Sequence, residues 1–261
     1  MKLRLEGRVA LVLGGGGGLG RAVSLGLAAE GVAVAVAGRS PERVTETVTA
    51  IEDVGGRAVP SVWDLRDVEG GEAAVGAVEQ TLGQIDILVN ITGGPPPGPV
   101  TGFAPTTWRE SFDAMVLPVI AITNRIAPGM VERGWGRIIT CTSSGVVAPI
   151  GGLGLSNALR QSLVGWSKTL ATELAPSGVT CNVVVPGRID TGRVAFLDRA
   201  KAERTGTTVE QVAARSRAEI PLGRYGRTEE FANVVTFLAS EAASYVTGAS
   251  VRVDGGLIAS V

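Results

Sequence analysis

The sequence contains no histidine and only two cysteines. The first absence removes the usual general base near neutral pH and the commonest zinc ligand, so a Ser-His-Asp hydrolase and a histidine metal site are both excluded. The cysteines, Cys141 in RIITCTS and Cys181 in VTCNVVV, lie inside apolar runs without ligand spacing and read as buried free thiols. Charge of either sign is not in excess: 24 Lys and Arg stand against 25 Asp and Glu, and no long basic run occurs. Nucleic acid and anionic membranes are therefore not expected partners. The N-terminal MKLRLEGRVALVLGGGGG breaks its apolar run with glycine too early for a signal peptide, and no 18-residue apolar span is expected further on. A cytoplasmic protein is the simplest expectation.

Glycine is abundant, at 37 of 261 residues, and 45% of the chain is hydrophobic. One large α/β domain suits these totals. Short β-branched runs at 8–13, 32–37, 58–63, 85–90, 137–142, 179–185 and 250–254 alternate with amphipathic stretches such as LGRAVSLGLAAE and TEEFANVVTFLAS. Near-continuous apolar strands separated by capped helices predict a parallel, doubly wound, Rossmann-like sheet in a single domain spanning 1–261. The GGPPPGPV stretch at 93–100 follows the fourth strand, where a stiff extended loop would wall the crevice at the carboxyl ends of the strands. The strand-free, charged segment 190–220 is expected to form a helical lid over that crevice.

The first strand runs into five glycines and then a helix, LVLGGGGGLGRAV. Glycines there let a pyrophosphate approach backbone amides at a helix start, so a dinucleotide site is the expected use. Two glycine spacings fit, and counting does not choose between them. Where an acidic residue for the ribose hydroxyls would fall, the chain has Gly38-Arg39-Ser40. A guanidinium beside a hydroxyl suits a 2′-phosphate, which favours NADP(H) over NAD(H). Ser40, followed by Pro41, also reads as the cap of the next helix.

Taken together these landmarks resemble the short-chain dehydrogenase/reductases over essentially the whole chain, in particular their 3-oxoacyl-acyl-carrier-protein-reductase-like members. Gly14-x-x-x-Gly18-Leu19-Gly20 matches the family glycine loop, with Leu13 in place of its usual Thr. Asp64-Leu65, Asn90-Ile91-Thr92-Gly93, Pro186-Gly187-Arg188-Ile189-Asp190-Thr191, Tyr245-Val246-Thr247-Gly248 and Val253-Asp254-Gly255-Gly256 match further family segments. The resemblance implies about seven strands, a homotetramer, and NADP(H) contacts from Gly14, Gly16, Gly17, Gly18, Leu19, Gly20, Asp64, Leu65, Asn90, Thr92, Pro186, Gly187, Ile189 and Thr191, beside Arg39 and Ser40.

The family's chemistry rests on Asn, Ser, Tyr and Lys. Here Ser143 holds the Ser position, Ser156 stands where Tyr belongs, Arg160 where Lys belongs, and Met115 where Asn belongs. Tyr225 and Tyr245 match stretches that the family uses structurally. Arginine stays charged and does not relay a proton near neutrality, but it stabilises negative charge on a carbonyl oxygen. The expectation is an NADP(H)-dependent oxidoreductase acting on a carbonyl or alcohol, with Ser143, Ser156 and Arg160 as oxyanion donors. Arg188 and Arg193 add positive charge near the lid, which suits an anionic or enolic substrate. Two alternatives stand beside it: a catalytically silent NADP(H)-binding sensor or partner subunit, and a lyase or isomerase using the nicotinamide as a scaffold.

Overall fold

The computed structural model describes residues 2–260. Seven parallel strands form one sheet: β1 (Val9–Leu13), β2 (Ala33–Gly38), β3 (Ala58–Val62), β4 (Ile87–Asn90), β5 (Gly136–Cys141), β6 (Val179–Pro186) and β7 (Ser250–Val253). All seven fall on the β-branched runs of the sequence, with ends shifted by at most two residues. Their order is β3-β2-β1-β4-β5-β6-β7, so the chain reverses direction across the sheet between β1 and β4. Open α/β sheets bind ligands at the carboxyl ends of the strands beside such a reversal.

The strands are buried on both faces because their side chains alternate between two apolar layers. Ala10 and Val12 of β1, with Val34 and Val36 of β2, pack under helices α1 (Gly18–Ala29), α2 (Pro41–Glu52) and α9 (Thr228–Ala239). Leu11, Leu13, Ala35 and Ala37 face the other way, against α3 (Val68–Leu82), α5 (Leu117–Glu132) and α6 (Gly154–Leu174). A third cluster joins α4 (Pro105–Met115) to α5 and α6 through Met115, Val119, Leu155 and Leu159.

One expectation needs correction. The stretch Pro105–Glu132 is long and apolar enough to cross a membrane by length and composition alone. Half of its most apolar window is buried in the fold, where α4 and α5 serve as core helices.

At the amino end of the sheet, Arg8 and Arg137 stack on Trp135, with 3.7 and 4.3 Å from each guanidinium carbon to the ring centre. Each of these cations has an acidic neighbour: Asp86 lies 3.6 Å from Arg8, and Glu241 lies 3.8 Å from the buried Arg137. The segment 190–220 forms α7 (Gly192–Thr205) and α8 (Val209–Ala218) at the opposite end.

Candidate active site and cofactor crevice

At its two ends the glycine loop is shaped by backbone contacts that leave no room for a Cβ. Gly14 has φ +72°, and a Cβ added there would lie 2.4 Å from the Ile91 carbonyl oxygen; at Gly20 it would lie 2.1 Å from the Gly14 carbonyl oxygen. Gly16 rests on the backbone of Arg43 and Val44, and Gly18 on the Thr191 side chain. Gly17 is extended at the start of α1, where Arg21 N–H donates to its carbonyl. Leu19 packs into the apolar layer below. The outcome is a bare strand-to-helix turn, the form a pyrophosphate requires.

Farther along this edge, Arg39 extends into solvent, with its guanidinium 3.9 Å from the Asp64 carboxylate. Ser40 is committed elsewhere: its hydroxyl donates to Glu42 at 2.7 Å and accepts from Arg43 N–H, capping α2. Asp64 is held by Arg66, with the closest contact at 2.7 Å. Hydrogen bonds from Arg66, with Arg39 adding charge, bring the Asp64 carboxyl down to about 2. Sequence reasoning missed Arg66, whose place two residues after Asp64 was the available signal. Leu65 packs against the lower apolar layer.

On the other side of the crevice, the loop after β6 is pinned to its neighbours. Gly187 N–H donates to Val253 O, and a Cβ at Gly187 would strike Asp254. Pro186 pairs with Val253 at the end of β7, and buried Ile189 bridges to Gly226. Thr191 caps α7, accepting from Val194 N–H at 3.4 Å and donating to Ile189 O.

Between these two sides lie the carboxyl ends of β4 and β5. Asn90 donates to Thr140 Oγ1, which leaves the buried Asn90 Oδ1 without a partner, together with Thr92 Oγ1 and Thr142 Oγ1. Unpaired buried acceptors and hydroxyls are costly unless a further group meets them. Those orphans and the Cβ-free glycine turn fit a dinucleotide lying across the crevice.

The reaction end is built around α6. Ser143 leaves β5 in an extended conformation, and its hydroxyl accepts from Gly145 N–H at 3.2 Å. Asn157 holds the following segment by pairing with both N–H and C=O of Ile150. This seats the Ser143 turn against the first turn of α6, where Ser156 is 7% exposed. One turn later Arg160, 8% exposed, crosses to both strand ends. Its guanidinium donates to Cys141 O at 3.3 Å, Thr92 O at 3.5 Å and Gly93 O at 2.9 Å. Burial presses its pKa down, and among the described residues no carboxylate offsets that effect. Met115 is buried against Leu155 and Leu159, so a thioether closes this end of α4. Burial also pushes the Cys141 thiol up to about 11, against the pull of Arg160.

A cavity of about 340 Å³ opens from Ser143 between Pro97, Ile150 and the α7 side chains Val194, Leu197, Lys201 and Arg204. The proline loop thus forms one wall, locked by Gly98 N–H to Gly152 O at 2.7 Å. The two cations expected near the lid differ. Arg188 is neutralised by buried Asp198 at 2.5 Å, and Tyr225 donates to the same carboxylate at 2.7 Å. Arg193 instead packs beside Gly94 and donates to Pro95 O at 3.0 Å. Neither tyrosine stands in for the missing phenol: burial and then Asp198 push the Tyr225 hydroxyl above its usual range, and Tyr245 is fully exposed.

The family model for enoyl-(acyl carrier protein) reductases matches residues 15–258. The chain belongs to the short-chain dehydrogenase/reductase family. It is 34% identical to the 3-oxoacyl-acyl-carrier-protein reductase FabG of Aquifex aeolicus, over 98% of this chain and 100% of that one. The FabG of Escherichia coli is 32% identical over 98% and 99%. Among solved structures, an actinorhodin polyketide ketoreductase with NADPH superimposes with a TM-score of 0.92 at 32% identity, covering 96% of this chain and 97% of that one. L-sorbose reductase from Gluconobacter frateurii, complexed with NADPH and L-sorbose, gives 0.94 at 30% identity over all of both chains.

Proposed function

We propose that this protein is an NADP(H)-dependent oxidoreductase acting on a carbonyl or alcohol, with Ser143, Ser156 and Arg160 replacing the usual proton-transfer group by fixed electrostatic stabilisation. The observation that carries this reading is the buried guanidinium of Arg160, clamped on three carbonyls at the ends of β4 and β5. Glycines 14–20, Asn90, Thr92 and the 186–191 loop would hold the dinucleotide, with Arg39 on the 2′-phosphate. When bound, NADPH supplies the hydride, or NADP⁺ accepts it.

The chain's own residues do the rest. Ser143, which lines the cavity, donates a hydrogen bond to the substrate oxygen. Ser156 and Arg160 are buried on α6 outside the cavity lining, and the guanidinium contributes through its positive charge, which favours negative charge growing on that oxygen. Prepaid electrostatics of this kind commonly contribute about 10²–10³ in rate. An alkyl hydroxyl is a far weaker acid than a phenol, so the proton comes from water or from the substrate itself. A substrate carrying an anionic or enolic group suits the cavity, because Lys201 and Arg204 line it and neither is ion-paired among the described residues. The segment 190–220 acts as its lid, fastened by Asp198, and the chain works as a cytoplasmic homotetramer.

The test is turnover of a broad carbonyl panel with NADPH, compared between the parent and a Met115→Asn, Ser156→Tyr, Arg160→Lys triple variant. Activity in the parent that falls in the triple variant supports the Ser/Arg mechanism. An inert parent that binds NADPH, with activity only in the variant, replaces this reading with the silent binding subunit.

A further inference from the structure

Two guanidiniums converge on one short loop. Arg160 donates to Thr92 O and Gly93 O, and Arg193 donates to Pro95 O from the first turn of α7. Together they grip residues 92–95 from both sides, Arg160 tying that loop to the end of β5 and Arg193 tying it to the lid. Arg193 also lies near the positive end of the α7 dipole, where a cation is disfavoured. Elsewhere the buried Arg137 pairs with Glu241 at 3.8 Å, and the half-buried Arg188 pairs with Asp198 at 2.5 Å. Neither Arg160 nor Arg193 has an acidic neighbour among the described residues. Burial lowers the pKa of Arg193, and the charge of Arg160 lowers it further.

A site carrying two uncompensated positive charges treats the two oxidation states of nicotinamide unequally, since the oxidised ring is cationic and the reduced ring is neutral. We propose that the Arg160–Arg193 pair makes the crevice a selector for reduced over oxidised dinucleotide, so that the enzyme loads NADPH and releases NADP⁺ while the potential of the bound couple is raised. The proposal rests on the NADP(H) reading above and adds the preference between its two redox states. A unit charge about 10 Å away in a medium of effective dielectric about 20 changes a binding ratio by about tenfold. For a two-electron couple this equals about 30 mV in the potential of the bound dinucleotide.

Arg193 is the residue to vary, because Arg160 also holds the strand ends together. The dissociation constants of NADPH and NADP⁺ are measured by calorimetry on the full chain for the parent, Arg193→Met and Arg193→Lys. The parent should bind NADPH at least about tenfold tighter than NADP⁺. Arg193→Met should shrink that ratio by about tenfold, mainly through tighter NADP⁺ binding, and Arg193→Lys should keep it. A parent ratio near one overturns the proposal, as does an unchanged ratio in Arg193→Met or a parallel weakening of both forms, which would assign Arg193 to the phosphates or to lid packing. Failure of the wider reading looks different: a preserved ratio with no turnover of any carbonyl removes the oxidoreductase function and leaves the selector standing.

Discussion

The glycine loop and the reaction end lie at the same edge of one sheet, yet they meet sequence change in opposite ways. At residues 14–20 the function is carried by backbone, and a single added methyl group at Gly14 or Gly20 would overlap a carbonyl oxygen. At positions 115, 156 and 160 the proposed function rests on side chains, all three of them buried where α4 and α6 meet the strand ends. A backbone-built site has no substitute for glycine, whereas a side-chain site accepts other groups that the fold around it can bury. Met115, Ser156 and Arg160 are all buried there.

The sharpest way to break this comparison is Gly20→Ala. Forcing a Cβ to within 2.1 Å of a backbone oxygen should cost about 3 kcal/mol and reduce NADPH affinity by about 100-fold or more. Calorimetric titration reading near-parent affinity would show that the loop tolerates side chains after all. Next comes Arg160→Met, which leaves three strand-end carbonyls without their donor. A loss of about 2–3 kcal/mol is expected in urea unfolding, with Arg160→Lys losing less. Full stability in Arg160→Met would mean that the guanidinium does not tie β4 to β5.

Asp198→Asn tests the lid. Removing the carboxylate strands Arg188 and releases the Tyr225 hydroxyl, so stability should fall by about 2 kcal/mol and KM should rise more than kcat falls. Steady-state kinetics showing the reverse split would place Asp198 in the chemical step. The last effect, which vanishes near neutral pH, concerns the two buried thiols. Burial raises the Cys141 thiol to about 11 and the Cys181 thiol to about 12, from an ordinary value of 9.0. The unfolded chain loses these protons first, so stability is full below about pH 9 and declines as pH rises toward 11 and 12. A Cys141→Ala, Cys181→Ala variant should flatten that alkaline decline. Identical alkaline midpoints for parent and variant would contradict it.

Much of the fold was legible because its signals are local. Seven apolar runs gave seven strands, Ser40 with Pro41 gave the start of α2, and the glycine run after β1 marked the crevice. The reaction end was located through its spacing from Ser143. What charge would do there was not legible, since Arg188 in the loop after β6 and Arg193 at the start of α7 look alike as nearby cations, yet one meets Asp198 and the other a carbonyl. The same holds for Asp64, whose carboxylate is held by an arginine two residues away.

The sequence alone determined the order of elements, the layered sheet and the place of the dinucleotide turn, because periodicity, caps and glycine are properties of neighbouring residues. Tertiary structure decided which charges are neutralised and which remain. Arg160 reaches a carbonyl 67 residues away and Arg193 one that is 98 residues away, contacts that exist only once parallel strands and their crossover helices have closed around them. The electrostatic character of the crevice follows from those long-range pairings, which no local pattern encodes.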